Sequence, residues 1–435
     1  MRSTYGKKRH TYRSAGRRAG RSTGHPGRTA TTLSCALTLA SGALLLPSAA
    51  AAPSAASALS AASASAPAPA ATPAPSPAPA SASSGHPPPA AGPAADRPVR
   101  VLSWNIRHGG RDRALGGREN LRLLLDQVVA LKPDIFFAIE TYGSGEAIRR
   151  ALTRRAGQGS YRAVQVTRGG RGPSRDNLWL FTRYKVVNVF PKPRTRVAAT
   201  GFNTGGARVA LPNGRRLNLV DTWLSFSRPW IGNMVNRNAK AAKAGRPLPH
   251  TRAQVADAEQ RRQLPQLRDI LDRQLPAMLR DDRSPVLMAG DLNTVAASDW
   301  SARWARCPRR YGLSYDLRTT RLITEAGFRD TYRTAHPDVC THPGSTWSPL
   351  KRKHRVTPER IDFIFARGQG LRVRRSFTVD KRLPSHPAGQ FYSDHGAVVT
   401  DLTVAPAPTA ATPAPSPSPR PAGHRAAAAA AAAKR

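Results

Sequence analysis

"PVLMAGDLNT", Pro285 to Thr294, runs through four apolar residues and a glycine to Asp291 and Asn293. An apolar stretch this short predicts a buried strand. Side chains two apart on an extended chain point the same way. The acid and the amide are therefore expected to enter one space beyond the strand's end.

Other apolar runs end in the same manner. "VLSWN" stops at Asn105, "DIFFAIE" at Glu140, Asp362 sits within "RIDFIF", and "SDH" (Asp394, His395) precedes the last strand-like run, "GAVVTDLTV". Singly, each has an ordinary explanation: Asn105 a turn residue, Glu140 a helix cap, His395 a loop histidine. Together they pose an electrostatic problem, because clustered carboxylates repel and take up protons unless a cation joins them. A hard divalent ion with oxygen ligands relieves that, and Mg²⁺ typically uses one or two protein carboxylates and keeps several waters.

The rest of the chain frames one domain. Residues 1–52 read as an export signal: a basic start (Arg2, Lys7, Lys8, Arg9, Arg17, Arg18, Arg28), the apolar "TTLSCALTLASGALLLP", then small residues at Ala49 to Ala52. The apolar run is short and Ala-rich for a spanning helix, so no transmembrane span is expected in the mature chain. Residues 53–97 are an extended Ala/Pro/Ser linker, and 405–435 a similar tail. The domain between, 98–404, alternates strand-like runs with helical patterns. "RENLRLLLDQVVALK" and "VADAEQRRQLPQLRDILDRQL" predict helices, and "RVALPNGRRLNLVDTWLS" a hairpin turning at "PNG". The segment from Arg228 to Arg252 shows no clear period. Strands outnumber the available crossovers, so the sheets must be partly antiparallel, an α+β plan. Cys307 and Cys340 survive leader removal and are expected to pair outside the cell.

The 435 residues carry a formal charge of +42. Residues 97–404 alone hold 55 basic against 25 acidic residues. Such a surface collects polyanions: nucleic acid, anionic headgroups, cell-wall polyphosphates. An Arg-heavy, Ala- and Pro-rich composition can also arise from GC-rich coding alone.

In order and spacing, "WNI", "PDIFFAIE", "GDLN", "RIDFIF" and "SDH" resemble the endonuclease/exonuclease/phosphatase superfamily, with weaker matches at "LFTR", the hairpin and "GSTW". The resemblance spans about Val99 to Val404. It implies the deoxyribonuclease I-like fold: a four-layer α/β/β/α sandwich of two packed mixed β-sheets with outer helices and the site at one end. It further implies a phosphate-ester hydrolase using Mg²⁺ (or Mn²⁺ or Ca²⁺). Residue by residue, Glu140, Asn105 and Asp394 match the metal positions. His395 matches the catalytic histidine, Asp362 the carboxylate that orients it, and Asp291 the group that handles a proton. Asn293 matches a catalytic amide that contacts a phosphate oxygen. Trp223 and Arg360 are further substrate-binding candidates.

Two departures stand out. Where many members have Thr-His, this chain has "DTWLS", with Trp223 at the histidine position. Indole donates one hydrogen bond but exchanges no proton, so Asp291, a metal-bound water, or a histidine such as His108 or His250 must supply the acid. Ile139 also precedes Glu140 where Gln is frequent. A secreted nuclease acting on DNA or RNA is the first reading, with "NRNAKAAKAGRPLPHTR" and "KRKHR" tracking a backbone and Trp230 and Trp347 stacking on bases. A sphingomyelinase-type phospholipase C or an inositol or sugar phosphatase is the second, with "WLSFSRPWIGNM" its candidate membrane loop. A non-catalytic polyanion-binding protein is the third. A monomer is expected, with no stable protein partner and with cell-wall association through the tail open.

Overall fold

The computed structural model describes residues 97–167, 176–191, 198–226 and 228–406, the side chains of residues 351 and 352 aside. The leader, the linker up to residue 96 and the tail from 407 onward lie outside the described residues. Among the described residues no helix is long and apolar enough to cross a membrane.

Two six-stranded mixed sheets lie face to face. The first contains β1 (Val99–Asn105), β2 (Ile135–Ile139), β3 (Arg162–Gln165), β4 (Trp179–Thr182), β11 (Leu371–Val379) and β12 (Ala397–Val404), in the order β11-β12-β1-β2-β4-β3. The second contains β5 (Lys185–Val189), β6 (Thr204–Ala210), β7 (Arg216–Trp223), β8 (Val286–Asp291), β9 (Arg329–Asp330) and β10 (Asp362–Arg367), in the order β5-β6-β7-β8-β10-β9. At the centre of each sheet is a parallel pair, β1 with β2 and β7 with β8, and the other pairings are antiparallel. Helices supply both parallel crossovers, as such pairs require: α1 (Arg118–Leu131) in the first sheet, and α3 (Ile231–Lys243) through α6 (Leu275–Leu279) in the second.

Period-two alternation sorts each strand between two cores. Leu287 and Ala289 of β8, Leu217 and Leu219 of β7, and Ile364 and Ala366 of β10 meet Val101, Ile135 and Phe137 between the sheets. Their neighbours Met288, Val220, Phe363 and Phe365 pack outward on the helix from Leu267 to Leu279. Leu102, Trp104 and Phe136 pack on α1 and on α2 (Gly145–Arg155). The two sheets and outer helices are the layers the family resemblance implies.

Gly290 explains the glycine in the opening motif. Its φ is +147°, and a Cβ there would overlap the Thr222 carbonyl oxygen of β7, so only glycine lets β7 and β8 close together.

Two helical expectations change. The segment with no clear period contains α3. Its buried face is interrupted by Asn236 and Asn238, whose amides bond the His354 and His250 carbonyls, so polar residues hide the apolar repeat. The single helix expected from Val255 to Leu275 is broken at Arg262, whose φ of −128° is not helical, three residues before Pro265. A proline within a continuous helix clashes with the carbonyl four residues back; the break at Arg262 places Pro265 in the first turn of a new helix.

Cys307 and Cys340 form a disulfide with Cα atoms 4.9 Å apart, closing 33 residues of separation. A loop of this size is worth about 2–4 kcal/mol through the unfolded state. Reduction is expected to lower the denaturation midpoint accordingly, read by urea titration with and without reductant.

Candidate active site

Topology brings the polar strand ends together. Asn105, Glu140, Trp223 and Asp291 stand at the C-terminal ends of the parallel strands, while Asp362 opens β10 and His395 lies just before β12, both running the other way. Antiparallel neighbours begin where parallel ones finish, so all six reach one end of the sandwich. Alternation directs Asp291, Asp362 and Trp223 to the inter-sheet side, in register with Leu287, Ile364 and Leu219 of the inner core.

Asp362 is fully buried, and both its oxygens lie within hydrogen-bond distance of His395 Nδ1, at 3.0 and 3.1 Å. The other ring nitrogen, Nε2, is 3.8 Å from Asp291 Oδ2. Trp104 holds the histidine's backbone by donating to the His395 carbonyl at 2.9 Å, and Trp347 lies edge-on to the ring at 4.8 Å. Burial opposes an imidazolium here, but the Asp362 and Asp291 carboxylates more than offset it and raise the ring's pKa. Burial, with Asp362 adding to it, pushes the Asp291 carboxyl upward, against the pull of His395.

Asn105 links the two sheets. Its Nδ2 donates to Glu140 Oε1 at 3.0 Å and to Asp291 Oδ2 at 3.1 Å. Glu140 also accepts from the His108 backbone N–H at 3.2 Å. Of the nine non-glycine residues with positive φ among those described, Arg107, His108, Glu140, Tyr142 and Asn293 lie at this end. Strained backbone of this kind collects at functional sites, where surrounding contacts hold it.

Other expectations are modified. Asn293 does not present its amide outward: Nδ2 donates to the Leu224 carbonyl at 2.8 Å and to Asp291 Oδ2 at 3.2 Å, so it orients the acid. Asp394 is paired with Arg107, which also holds Asp112. Trp223 is half-buried against the inner core and Phe202, with its indole N–H buried and unpartnered among the described residues. Arg360, a substrate-binding candidate, is 3 % exposed, with its guanidinium bonded to Asp299 and Asp330. His108 stacks on Tyr142 at the rim, whereas His250 is held by Asn238 on α3, apart from the cluster.

Three neighbours were missed in the sequence. Arg107 follows Asn105 by two residues, the same spacing that joins Asp291 to Asn293, and that signal was available. Asn177, just before β4, accepts the Glu140 backbone N–H at 3.0 Å, which no local pattern announces. Asp221 lies two residues before Trp223 on the inner face, wholly buried with neither carboxylate oxygen bonded among the described residues; burial pushes its carboxyl well up.

The donor set suits a divalent cation. Glu140 makes no ion pair among the described residues, and its carboxylate meets that of Asp291 across a single amide. Ligand atoms of Asp291, Asp362 and His395 also lie within 4.8 Å of one another. A protonated imidazole has no lone pair to offer, which favours the Glu140–Asn105–Asp291 side.

A model of the Endonuclease/Exonuclease/phosphatase family matches residues 102–395. An uncharacterized protein of Caenorhabditis elegans is 24 % identical over 320 residues, covering 70 % of this chain and 91 % of its own. Among solved structures, the human Nocturnin catalytic domain with bound sulfate is 18 % identical, with 71 % of this chain and 95 % of that one covered at a TM-score of 0.46. Danio rerio TDP2 complexed with single-strand DNA product is 18 % identical, with 71 % and 100 % covered at 0.44.

Proposed function

We propose, from the premise that this chain belongs to the Endonuclease/Exonuclease/phosphatase family, that it is an exported, Mg²⁺-dependent phosphodiesterase whose substrate is nucleic acid. One observation carries the reading: His395 is held by both oxygens of Asp362 on one nitrogen while the other faces Asp291, beside the Asn105–Glu140 pair. Asp362 fixes the ring and favours its protonated form, so Nε2–H donates to a non-bridging phosphoryl oxygen. Asp291, aimed by Asn105 and Asn293, exchanges the proton of the attacking water or the leaving oxygen, a task its raised pKa suits. Trp223 cannot share that work. Glu140 and Asn105 would hold the cation, with Asp394, here paired with Arg107, as a further candidate ligand. Such an ion, when bound, offsets charge developing on the phosphoryl group.

Export is supported by the leader and by the Cys307–Cys340 disulfide, a bond at home outside the cytosol. Nucleic acid is favoured over lipid because the candidate membrane loop keeps most of its described large apolar side chains from solvent. Trp230, Ile231 and Met234 are buried, and only Phe226 of its described large apolar residues is exposed.

The test is a substrate panel of plasmid DNA, RNA, sphingomyelin and bis(p-nitrophenyl) phosphate with Mg²⁺, Mn²⁺, Ca²⁺ or chelator. Nicking that chelator abolishes and Mg²⁺ restores is the expected result. Choline phosphate release with intact nucleic acid, or turnover indifferent to chelator, would reject the reading.

A further inference from the structure

The two basic segments of the sequence, far apart in the chain, dock on each other beside the catalytic end. Asn236 of α3 donates to the His354 carbonyl at 3.2 Å and accepts from the Val356 N–H at 3.0 Å, while Arg355 reaches Asn233 Oδ1 at 2.8 Å. Just ahead of α3, Trp230 donates through its indole N–H to the Asn293 carbonyl at 2.9 Å. Trp230 also meets Trp347 edge-on at 5.3 Å, and Trp347 meets His395 at 4.8 Å. The helix thus starts at the loop that aims Asp291.

Its outward stripe is Asn233, Arg237, Lys240 and Lys243, all exposed, with exposed Lys353 on the docked segment. Residues 228–252 hold six basic residues and no acidic one. On other surface helices some arginines are paired, Arg122 with Glu119 and Asp126 and Arg149 with Glu146, while Arg150, Arg154 and Arg268 are exposed with no ion pair among the described residues. Arg237, Lys240 and Lys243 enter no ion pair among the described residues. With 55 basic against 25 acidic residues in 97–404, unpaired cations are common on this surface, and what sets this row apart is its place on a helix that begins at the Trp230–Asn293 contact. Three cations over about 9 Å of helix, left uncompensated and anchored to a phosphodiester site, match a polyanion presenting phosphates at regular intervals.

We propose that the exposed face of α3, with Lys353, holds the sugar–phosphate backbone of a polynucleotide strand on the Asn293 side of the bond being cut. The proposal rests on the nuclease reading above and adds where the strand lies. It makes α3 a surface for affinity and position, separate from the residues that act on the phosphate.

The test compares wild type with Arg237→Glu/Lys240→Glu/Lys243→Glu and with the milder triple change to Gln. Binding of a labelled single-stranded oligonucleotide is followed by anisotropy in chelator across a salt series, alongside anionic phosphatidylglycerol vesicles and turnover of bis(p-nitrophenyl) phosphate in Mg²⁺. Neutralising three phosphate contacts on a single strand is expected to flatten the log–log salt slope by about 2 and to weaken binding at least about tenfold at low salt. Small-diester turnover should stay unchanged and vesicle binding should be much less affected. Equal slopes and affinities for wild type and both variants would overturn the proposal, as would parallel loss of small-diester turnover or equal loss toward vesicles. A wild type that turns over the small diester but leaves nucleic acid intact would instead reject the nuclease reading, and the binding series still decides whether α3 is a polynucleotide surface.

Discussion

His395→Ala is expected to lower kcat on both nucleic acid and bis(p-nitrophenyl) phosphate by roughly 10²–10⁴, the range a positioned acid–base group supplies. The ring is the only described group that stands between Asp362 and Asp291, at 3.0 Å from the first and 3.8 Å from the second. Without it, two buried carboxylates face each other and Asp291 takes up a proton, so both the phosphoryl donor and the poise of the acid are lost. Asp362→Asn separates these effects, because it keeps a hydrogen-bonding partner for Nδ1 while removing the charge that favours imidazolium. It should retain more activity than His395→Ala and shift the falling alkaline side of the rate profile to lower pH. Single-turnover rates with the small diester, alongside thermal melting to confirm folding, check both. Activity within tenfold of wild type in His395→Ala would remove this cluster from the chemistry.

The strands that build this cluster were legible because each is a short, largely apolar run bounded at one end by a residue too polar to bury without a partner. Asn105, Glu140, Asp291, Asp362 and His395 announced themselves in that way, and the "PNG" hairpin and the Leu/Val repeat of α1 were equally plain. What escaped depends on partners distant in the chain. Helix α3 was hidden because Asn236 and Asn238 occupy its buried face, and their reason for being there is the backbone at His354 and His250. Asn293 was read as facing substrate because its nearest acceptor, the Leu224 carbonyl, lies 69 residues away. The partners of Arg360 are hidden for the same cause: an arginine beside a catalytic strand invites a phosphate, and only the fold reveals Asp299 and Asp330 beside it.

Replacing that hidden partner, Asp299→Ala, is expected to cost about 3–5 kcal/mol, the usual penalty for stranding buried charges. Asp299 is 2 % exposed and receives Arg333 at 2.8 and 2.9 Å and Arg360 twice at 3.1 Å, with Arg310 also buried nearby on Trp300. Burial alone would raise its carboxyl, but Arg360 and Arg333 override that and hold it well below the usual carboxylate range. A depressed carboxylate contributes stability above its unfolded pKa, about 3.9, and loses it as pH falls through the folded value. Wild type should therefore lose stability more steeply than Asp299→Ala below about pH 4, with the two curves converging in acid and standing furthest apart near neutrality. Arg360 directly precedes Ile361 and Asp362, so the variant also loosens the start of β10, and the grip on His395 should weaken with it. Urea denaturation across pH, paired with small-diester kcat, measures both effects. A loss under 1 kcal/mol, with pH curves that stay parallel, would show that the network is not what holds Asp362 in place.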